Sequence, residues 1–293
     1  MPNLRDIKKR IGSVQSTRQI TRTMEMVATA KIKKAQERIE AARPYALAMM
    51  ELLGNVRRYA SGASPPLLAE REDRRKVVVI AVTSDRGLAG ALNSNILRMT
   101  EKYLNEMNAE GVETELITVG KKAVAYFLYR GVTPLQAYRD ISDKPTFADA
   151  KSIASLVVGP YERGEIDEVS IVFNRFVNVA EQSPESHRLL PIGTATLDDA
   201  ADASDVSAEY IFEPGAEEVL GHLLPTYVEA LIYRALMESA AAEHGARRKA
   251  MKSATDNASE MIGTLTRSYN RARQAAITTE ISEIVGGAAA LED

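Results

Sequence analysis

Leu4-Arg-Asp-Ile7-Lys-Lys-Arg-Ile11-Gly-Ser-Val14 opens a run with no helix breaker before Val56 other than Gly12, Pro44 and Gly54. With Leu4 set as the first position of a heptad, Leu4, Ile7, Ile11, Val14, Ala28, Ile32, Ala35, Ile39, Ala42, Ala46, Met49, Leu53 and Val56 all fall on the a/d seam. Thirteen of sixteen seam positions are therefore apolar, a coiled-coil pattern and not that of an ordinary surface helix. The three exceptions, Arg18, Thr21 and Glu25, are consecutive, and around them Ile20, Met24 and Val27 move the apolar character to another face. Here the seam is expected to break and to meet a different surface. Pro44 is a candidate kink, although the repeat continues past it.

The other end of the chain repeats the theme. Val228, Leu231, Ala235, Met251, Ala254, Ala258, Met261, Leu265, Ala272 and Ala275 form a stripe at three- and four-residue steps, dominated by small side chains. Pro225 is expected in the first turn of this helix, preceded by a separate helical turn over Glu217–Leu224. Each terminal helix spans about 80 Å or more at the usual helical rise, longer than a domain of this size. They can pair as an antiparallel coiled coil only if the middle of the chain returns it.

Residues 61–225 do so. Ser61-Gly-Ala-Ser-Pro-Pro66 reads as a linker, and Lys76-Val-Val-Val-Ile-Ala-Val-Thr83 as a buried strand. Helix 93–109, strand 113–119, helices 120–130 and 146–163, and strand 169–177 follow, the alternation of an open α/β sheet. Asp198 to Ser207 reads as a solvated acidic loop. The domain reading is a coiled-coil helix over 1–60, an open Rossmann-like α/β domain with its linkers over 61–213, and a second coiled-coil helix over 214–293.

Composition narrows the chemistry. The 293 residues contain no Cys and three scattered His, which excludes disulfides, thiol nucleophiles and thiolate metal sites and leaves no His-built zinc site. There is no run of eighteen apolar residues, so no membrane-crossing helix is expected and the chain reads as soluble. The formal charge of −3 conceals a division. Residues 1–60 carry 13 Lys/Arg against 5 Asp/Glu, and residues 61–225 carry 16 against 26, so the first block suits an acidic partner.

Thr83-Ser84-Asp85-Arg86-Gly87-Leu88-Ala89-Gly90 sits where a dinucleotide fold would cradle phosphate, but Gly87 and Gly90 supply G-x-x-G only. Gly120-Lys121-Lys122 lacks the remainder of a Walker loop. Ser84, Asp85 and His187 lack a nucleophile elbow, and Asp198, Asp199, Asp202 and Asp205 miss the calcium-loop spacing. No catalytic, cofactor or metal site is assigned. The basic block overlaps the heptads instead of extending beyond them, which disfavours a nucleic-acid reader. A nucleotide-dependent enzyme with the helices as a dimerisation arm is the competing reading.

Five stretches carry a resemblance. They are Ile20-Thr-Arg-Thr-Met-Glu-Met-Val-Ala-Thr-Ala-Lys31, the 83–90 turn, Tyr210-Ile-Phe-Glu-Pro214, Ala250-Met-Lys-Ser-Ala-Thr-Asp-Asn257, and Asn270-Arg-Ala-Arg-Gln-Ala-Ala-Ile-Thr278 through Glu283-Ile-Val-Gly-Gly-Ala288. With these, the chain resembles the gamma subunits of rotary F-type ATP synthases over essentially its whole length. The resemblance implies a central shaft inside a ring of alpha and beta subunits, with a foot on the epsilon subunit and the ring of membrane c subunits. It implies proton-driven rotation, no cofactor, no nucleic acid and no self-association. By the same resemblance Met24, Lys31, Arg247, Arg273, Gln274 and Thr278 would contact the alpha/beta ring, and Tyr210 and Glu213 the foot. Ala89 stands where family members often carry Cys, and the Cys pair of the chloroplast type is missing. The family pattern begins near Leu4, leaving no expected room for a transit peptide, so a bacterial protein peripheral to the cytoplasmic face of the inner membrane is implied.

Overall fold

The structure, a computed structural model, describes residues 4–59, 65–71, 73–193, 213 and 215–292. The acidic loop and Tyr210 lie outside the described residues. Two helices frame the chain: α1 (Leu4–Tyr59) and, at the other end, a helix running Ala216–Glu292. Pro225 is inside that second helix, so the expected separate turn over Glu217–Leu224 is its continuous first part. Pro225 removes one N–H donor, and Gly221, whose carbonyl loses it, is exposed to water. Pro44 is likewise internal to α1.

The chain divides into two compact units. One pairs the N-terminal end, through Ala28, with Arg248 onward. Here Ile7, Thr21, Ala28, Met251 and Ala258 are buried, and Leu4, Ile11 and Val14 half-buried. The seam therefore continues through Thr21, with Glu25 half-buried, and leaves Arg18 exposed. Thr21 occupies its heptad position and shares a hydrogen bond of 2.8 Å with Thr255 across the pair, while Ile20 and Val27 are exposed. The expected break is a change of chemistry within the seam: small hydroxyls satisfy each other where apolar residues would otherwise pack. On the C-terminal helix the stripe shifts by one residue in two places. Ile262 and Ala276 are half-buried while Met261 and Ala275 are exposed.

The second unit, Thr29–Arg247, holds the sheet. Its elements are β1 (Lys76–Val82), α2 (Leu92–Ala109), β2 (Glu113–Val119), α3 (Lys121–Tyr129), β3 (Gln136–Tyr138), α4 (Phe147–Ser155), α5 (Val158–Glu162), β4 (Glu168–Phe176) and β5 (Gln182–Leu190). The long C-terminal helix is therefore α6. The strand order is β3-β2-β1-β4-β5, with β1 to β4 parallel and β5 antiparallel to β4. The apolar run at 76–82 is the central strand, buried from Val77 onward as a strand covered on both faces must be.

The single helix expected over 146–163 is two. A capping box starts α4, in which the Thr146 hydroxyl accepts from the Asp149 N–H and the Asp149 carboxylate accepts from the Thr146 N–H at 2.8 Å. Pro160 cannot donate into a continuous ladder, and the chain restarts as α5. β5 escaped the sequence reading because Gln182-Ser-Pro-Glu-Ser-His-Arg188 has neither apolar alternation nor a run, and Pro184 is tolerated only because the strand is at the sheet edge.

One side of the sheet packs on the terminal helices. Met49, Leu53 and Val56 of α1 share a core with Val78, Ile80, Val82, Ile171 and Phe173 of the strands and with Leu220, Leu224, Val228, Ile232 and Leu236 of α6. Leu53 and Val56 are fully buried, so the end of α1 belongs to this core as much as to the helix pair.

Gly120 ends β2 with φ of 92°, and a Cβ there would lie 2.2 Å from the Thr83 carbonyl oxygen. Gly120→Ala is expected to destabilise the full chain by about 3 kcal/mol through combined strain and overlap, read as a lowered urea midpoint. A midpoint within error of wild type would show that the β1 and β2 ends can move apart.

Candidate functional site

At the C-terminal ends of the parallel strands, where an open α/β sheet normally receives its ligand, the 83–90 turn is closed by its own side chains. Thr83 Oγ1 donates to the Val119 carbonyl at 3.0 Å and accepts from the Ala123 N–H at 2.9 Å. Asp85 accepts from the backbone N–H of Asp140 at 2.9 Å, of Lys121 at 3.0 Å and of Ser142 at 3.1 Å. Burial pushes the Asp85 carboxyl up, but these donors outweigh it and the net pKa is lowered. The N–H groups that would cradle a phosphate thus already hold an anion of the chain. Ser84 Oγ donates to the Arg86 carbonyl at 2.5 Å, and His187 sits on β5 against Glu185 at 2.8 Å, so no nucleophile and base are set toward each other.

The crevice itself is filled by α6. Leu236, Ser239 and Glu243 stand against Val82, Thr83, Ser84, Leu92, Ser142 and Asn174, leaving a cavity of about 10 Å³. This is the volume of about one water, not of a nucleotide. The competing enzyme reading fails at this point: the place for its ligand is occupied by the helix that would have been its dimerisation arm.

A charged cluster surrounds the plug. Lys31 Nζ of α1 donates to both oxygens of Asp143 at 2.7 and 2.8 Å, and His244 Nε2 of α6 lies 3.3 Å from the same carboxylate. Burial pushes the Asp143 carboxyl up, and the Lys31 ammonium brings it below its ordinary value. Arg247 donates to Glu243 at 2.6 Å and to the Gly87 carbonyl at 3.2 Å, and Ser142 Oγ donates to Glu243 at 3.4 Å. Burial raises the Glu243 pKa against the opposing Arg247. The His244 side chain is 4% exposed, and burial lowers its pKa to about 4. Asp143 pulls it up, and Lys31, Arg247 and Arg38 push it down. Its Nε2 lies beside Asp143 at 3.3 Å without a hydrogen bond, and its buried Nδ1 has no hydrogen-bond partner.

The helix pair of the other unit contributes a surface, not a pocket. Ile20, Met26 and Val27 are 60%, 59% and 51% exposed on α1, and Ile277, Ile281, Ile284 and Val285 are exposed on α6. On α1 these residues lie off the buried seam, and on α6 every residue from Ile277 to Gly287 is exposed, so both surfaces are available to a partner. Among the residues expected at the site, Arg273, Gln274 and Thr278 are exposed on α6, Met24 is half-buried, and Glu213 is exposed. Arg247 is 9% exposed and turned inward. Lys31 is half-buried and held by Asp143. Met26, Ile284 and Leu88, which is exposed at φ of 63°, lie in the stretches that carry the resemblance but were given no role there, and Ile281 lies outside them. Their signal was available: each is a large apolar residue off the seam or in a turn.

The chain matches the family described as ATP synthase over residues 3–291. It is 49% identical over 292 residues to the ATP synthase gamma chain of Desulforamulus reducens, covering 100% of both chains. A chain in the central stalk and c-ring structure of Tetrahymena thermophila mitochondrial ATP synthase is 27% identical with a TM-score of 0.58, covering 80% of this chain and 99% of that one. A chain of the Euglena gracilis mitochondrial ATP synthase in rotational state 3 shares the fold, with a TM-score of 0.66 at 22% identity, covering 98% of this chain and 94% of that one.

The His244 environment has a pH consequence. Unfolded, the imidazole binds its proton near pH 6.5; folded, only near pH 4. As pH falls through that window the unfolded chain takes up the proton first, so stability present above pH 6.5 is lost toward pH 4. Glu243, with its raised pKa, works in the opposite sense, so the difference between wild type and His244→Leu isolates the imidazole. Wild type is expected to lose about 3 kcal/mol more than the variant between pH 7 and pH 4, measured by denaturant unfolding. Parallel pH profiles would show that His244 is not held neutral.

Proposed function

The chain belongs to the ATP synthase gamma-chain family, the rotor at the central stalk of the F-type complex, and on that premise we propose how its geometry couples rotation to catalysis without a reaction centre of its own. The carrying observation is the apolar surface exposed on both helices: Ile20, Met26 and Val27 off the seam of α1, and Ile277, Ile281, Ile284 and Val285 on the exposed end of α6. A shaft that turns inside a protein sleeve needs such a surface. Apolar contact is non-directional, so it can slide without breaking hydrogen bonds at every step. Met24 and Met26 add side chains that adapt to successive neighbours.

The sleeve is the ring of alpha and beta subunits, and Met24, Arg273, Gln274 and Thr278 are contact residues toward it. Arg273 and Gln274 provide directional bonds near the apolar Ile277, and these distinguish one rotational position from another. Lys31 keeps part of its side chain toward solvent, where it adds positive potential for an acidic loop of a beta subunit. Arg247 acts one step back, holding the 83–90 turn through the Gly87 carbonyl. Tyr210 and Glu213 belong to the foot on the epsilon subunit and the c ring.

Two chemically different helices give the shaft a lopsided circumference. Three identical catalytic sites then meet three different faces, and each is biased toward open or closed by the difference in contact free energy. Nucleotide chemistry stays in the ring; this chain changes the populations of its states. Among the described residues no helix is long and apolar enough to cross a membrane. In this reading the chain joins the membrane through the c ring, at the cytoplasmic face of a bacterial plasma membrane, and proton passage drives its rotation.

Arg273→Trp and Gln274→Trp are each expected to lower ATP-driven proton pumping per ATP hydrolysed by roughly fivefold in membrane vesicles, with nucleotide occupancy of the ring retained. Met24→Lys is expected to act in the same direction, by placing a cation beside an acidic loop. Unchanged pumping and turnover in all three would remove these residues from the coupling surface.

A further inference from the structure

Within the Thr29–Arg247 unit, the stretch of α6 from Ala235 to Arg247 is enclosed on nearly every side, yet many of its side chains are the smallest available: Ala235, Ala240, Ala241, Ala242, Gly245 and Ala246. Small side chains let helices approach closely but provide few ridges to interlock. If α6 moved along its axis by one turn, Ala246 and Ala250 would replace Ala242 and Ala246, while the larger Ile232 and Leu236 of the same helix would leave their buried places. Packing resists such a move, and the polar contacts of this stretch add to that resistance.

The charged cluster does not tolerate such a move. Asp143, on the loop between β3 and α4, receives Lys31 from α1 at 2.7 Å and faces His244 of α6 at 3.3 Å. One helical turn is about 5.4 Å, so a slip of α6 carries the imidazole away from the Asp143 carboxylate. The neighbouring Arg247 would also lose the Gly87 carbonyl, now 3.2 Å away. The Lys31–Asp143 pair is a third exposed on both sides, so it adds little to stability in its correct place. Its leverage lies in the penalty on incorrect places, the best-attested use of partly buried polar groups.

We propose that the Asp143 carboxylate, shared by Lys31 of α1 and His244 of α6, is a registry key that fixes the two helices axially and rotationally against the sheet. These are positioning residues. The structural claim is independent of the rotor function; its consequence for coupling rests on that function, because a shaft with an uncertain register presents an uncertain face.

The absence of cysteine makes the test direct. Ala41→Cys on α1 and His222→Cys on α6, both at exposed positions, take a pair of spin labels in the assembled complex. The distance distribution is expected to be single and narrow in the otherwise wild-type chain and after Lys31→Arg, and broadened or displaced after Lys31→Met and Asp143→Leu. Should Asp143→Leu fail to assemble, Asp143→Asn, which keeps the shape and loses the charge, is expected to broaden it in the same direction. Protons pumped per ATP are expected to fall about threefold in the broadened variants. A narrow, unshifted distribution in Asp143→Leu or Asp143→Asn overturns the key, as does Lys31→Arg broadening as much as Lys31→Met. A broadened distribution with unchanged pumping upholds the key and overturns its link to coupling.

Discussion

The constraint on which most of this structure depends is that one stretch of helix, Ala235 to Arg247, is buried almost all round while carrying Glu238, Ser239, Glu243, His244 and Arg247. A backbone in helical form satisfies itself, but buried side-chain charges do not. Some find a partner one turn away on α6, and others reach a different part of the chain. Ser239 Oγ accepts from the Asn174 N–H of β4 at 3.2 Å, Glu243 and Arg247 pair along the helix, Arg247 reaches the 83–90 turn, and His244 reaches Asp143. The sheet, its turns and α1 are positioned by these demands. The same residues close the crevice in which related sheets bind their ligands, so the architecture of a nucleotide fold becomes a collar around a helix.

Much of this was legible from spacing alone. The heptad from Leu4 to Val56 marks α1 and most of its buried positions because a 3.5-residue period keeps one face of a helix toward its neighbour, and the 76–82 run gives the central strand because a strand covered on both faces is apolar throughout. Other parts were not legible, for identifiable reasons. Thr21 looked like a fault in the seam because its partner, Thr255, is more than two hundred residues away in sequence. β5 is held by pairing with β4 and by little in its own composition. Pro225 suggested a helix start, but tertiary packing of Leu224, Tyr227 and Val228 carries the helix through it.

The candidate surface was read unevenly. Arg273, Gln274 and Thr278, expected from the resemblance to face the ring, are exposed; Arg247, expected on the same ground, is directed into the chain. A motif reports that a residue matters without saying whether it faces a partner or supports a neighbour, and only burial separates the two. Asp143 gave no signal at all, because a single aspartate in a loop acquires meaning only when two distant helices converge on it.

The sheet also governs the chain before it meets any partner. Its edges are β3, three residues long, and β5, which carries Pro184 and displays Glu185, His187 and Arg188 outward. A short edge, and one interrupted by proline and studded with charge, offer poor templates for a strand from another molecule. A newly made copy, with its greasy helical ends still uncovered, is thereby denied the most direct route into fibrous aggregates while it waits to be enclosed.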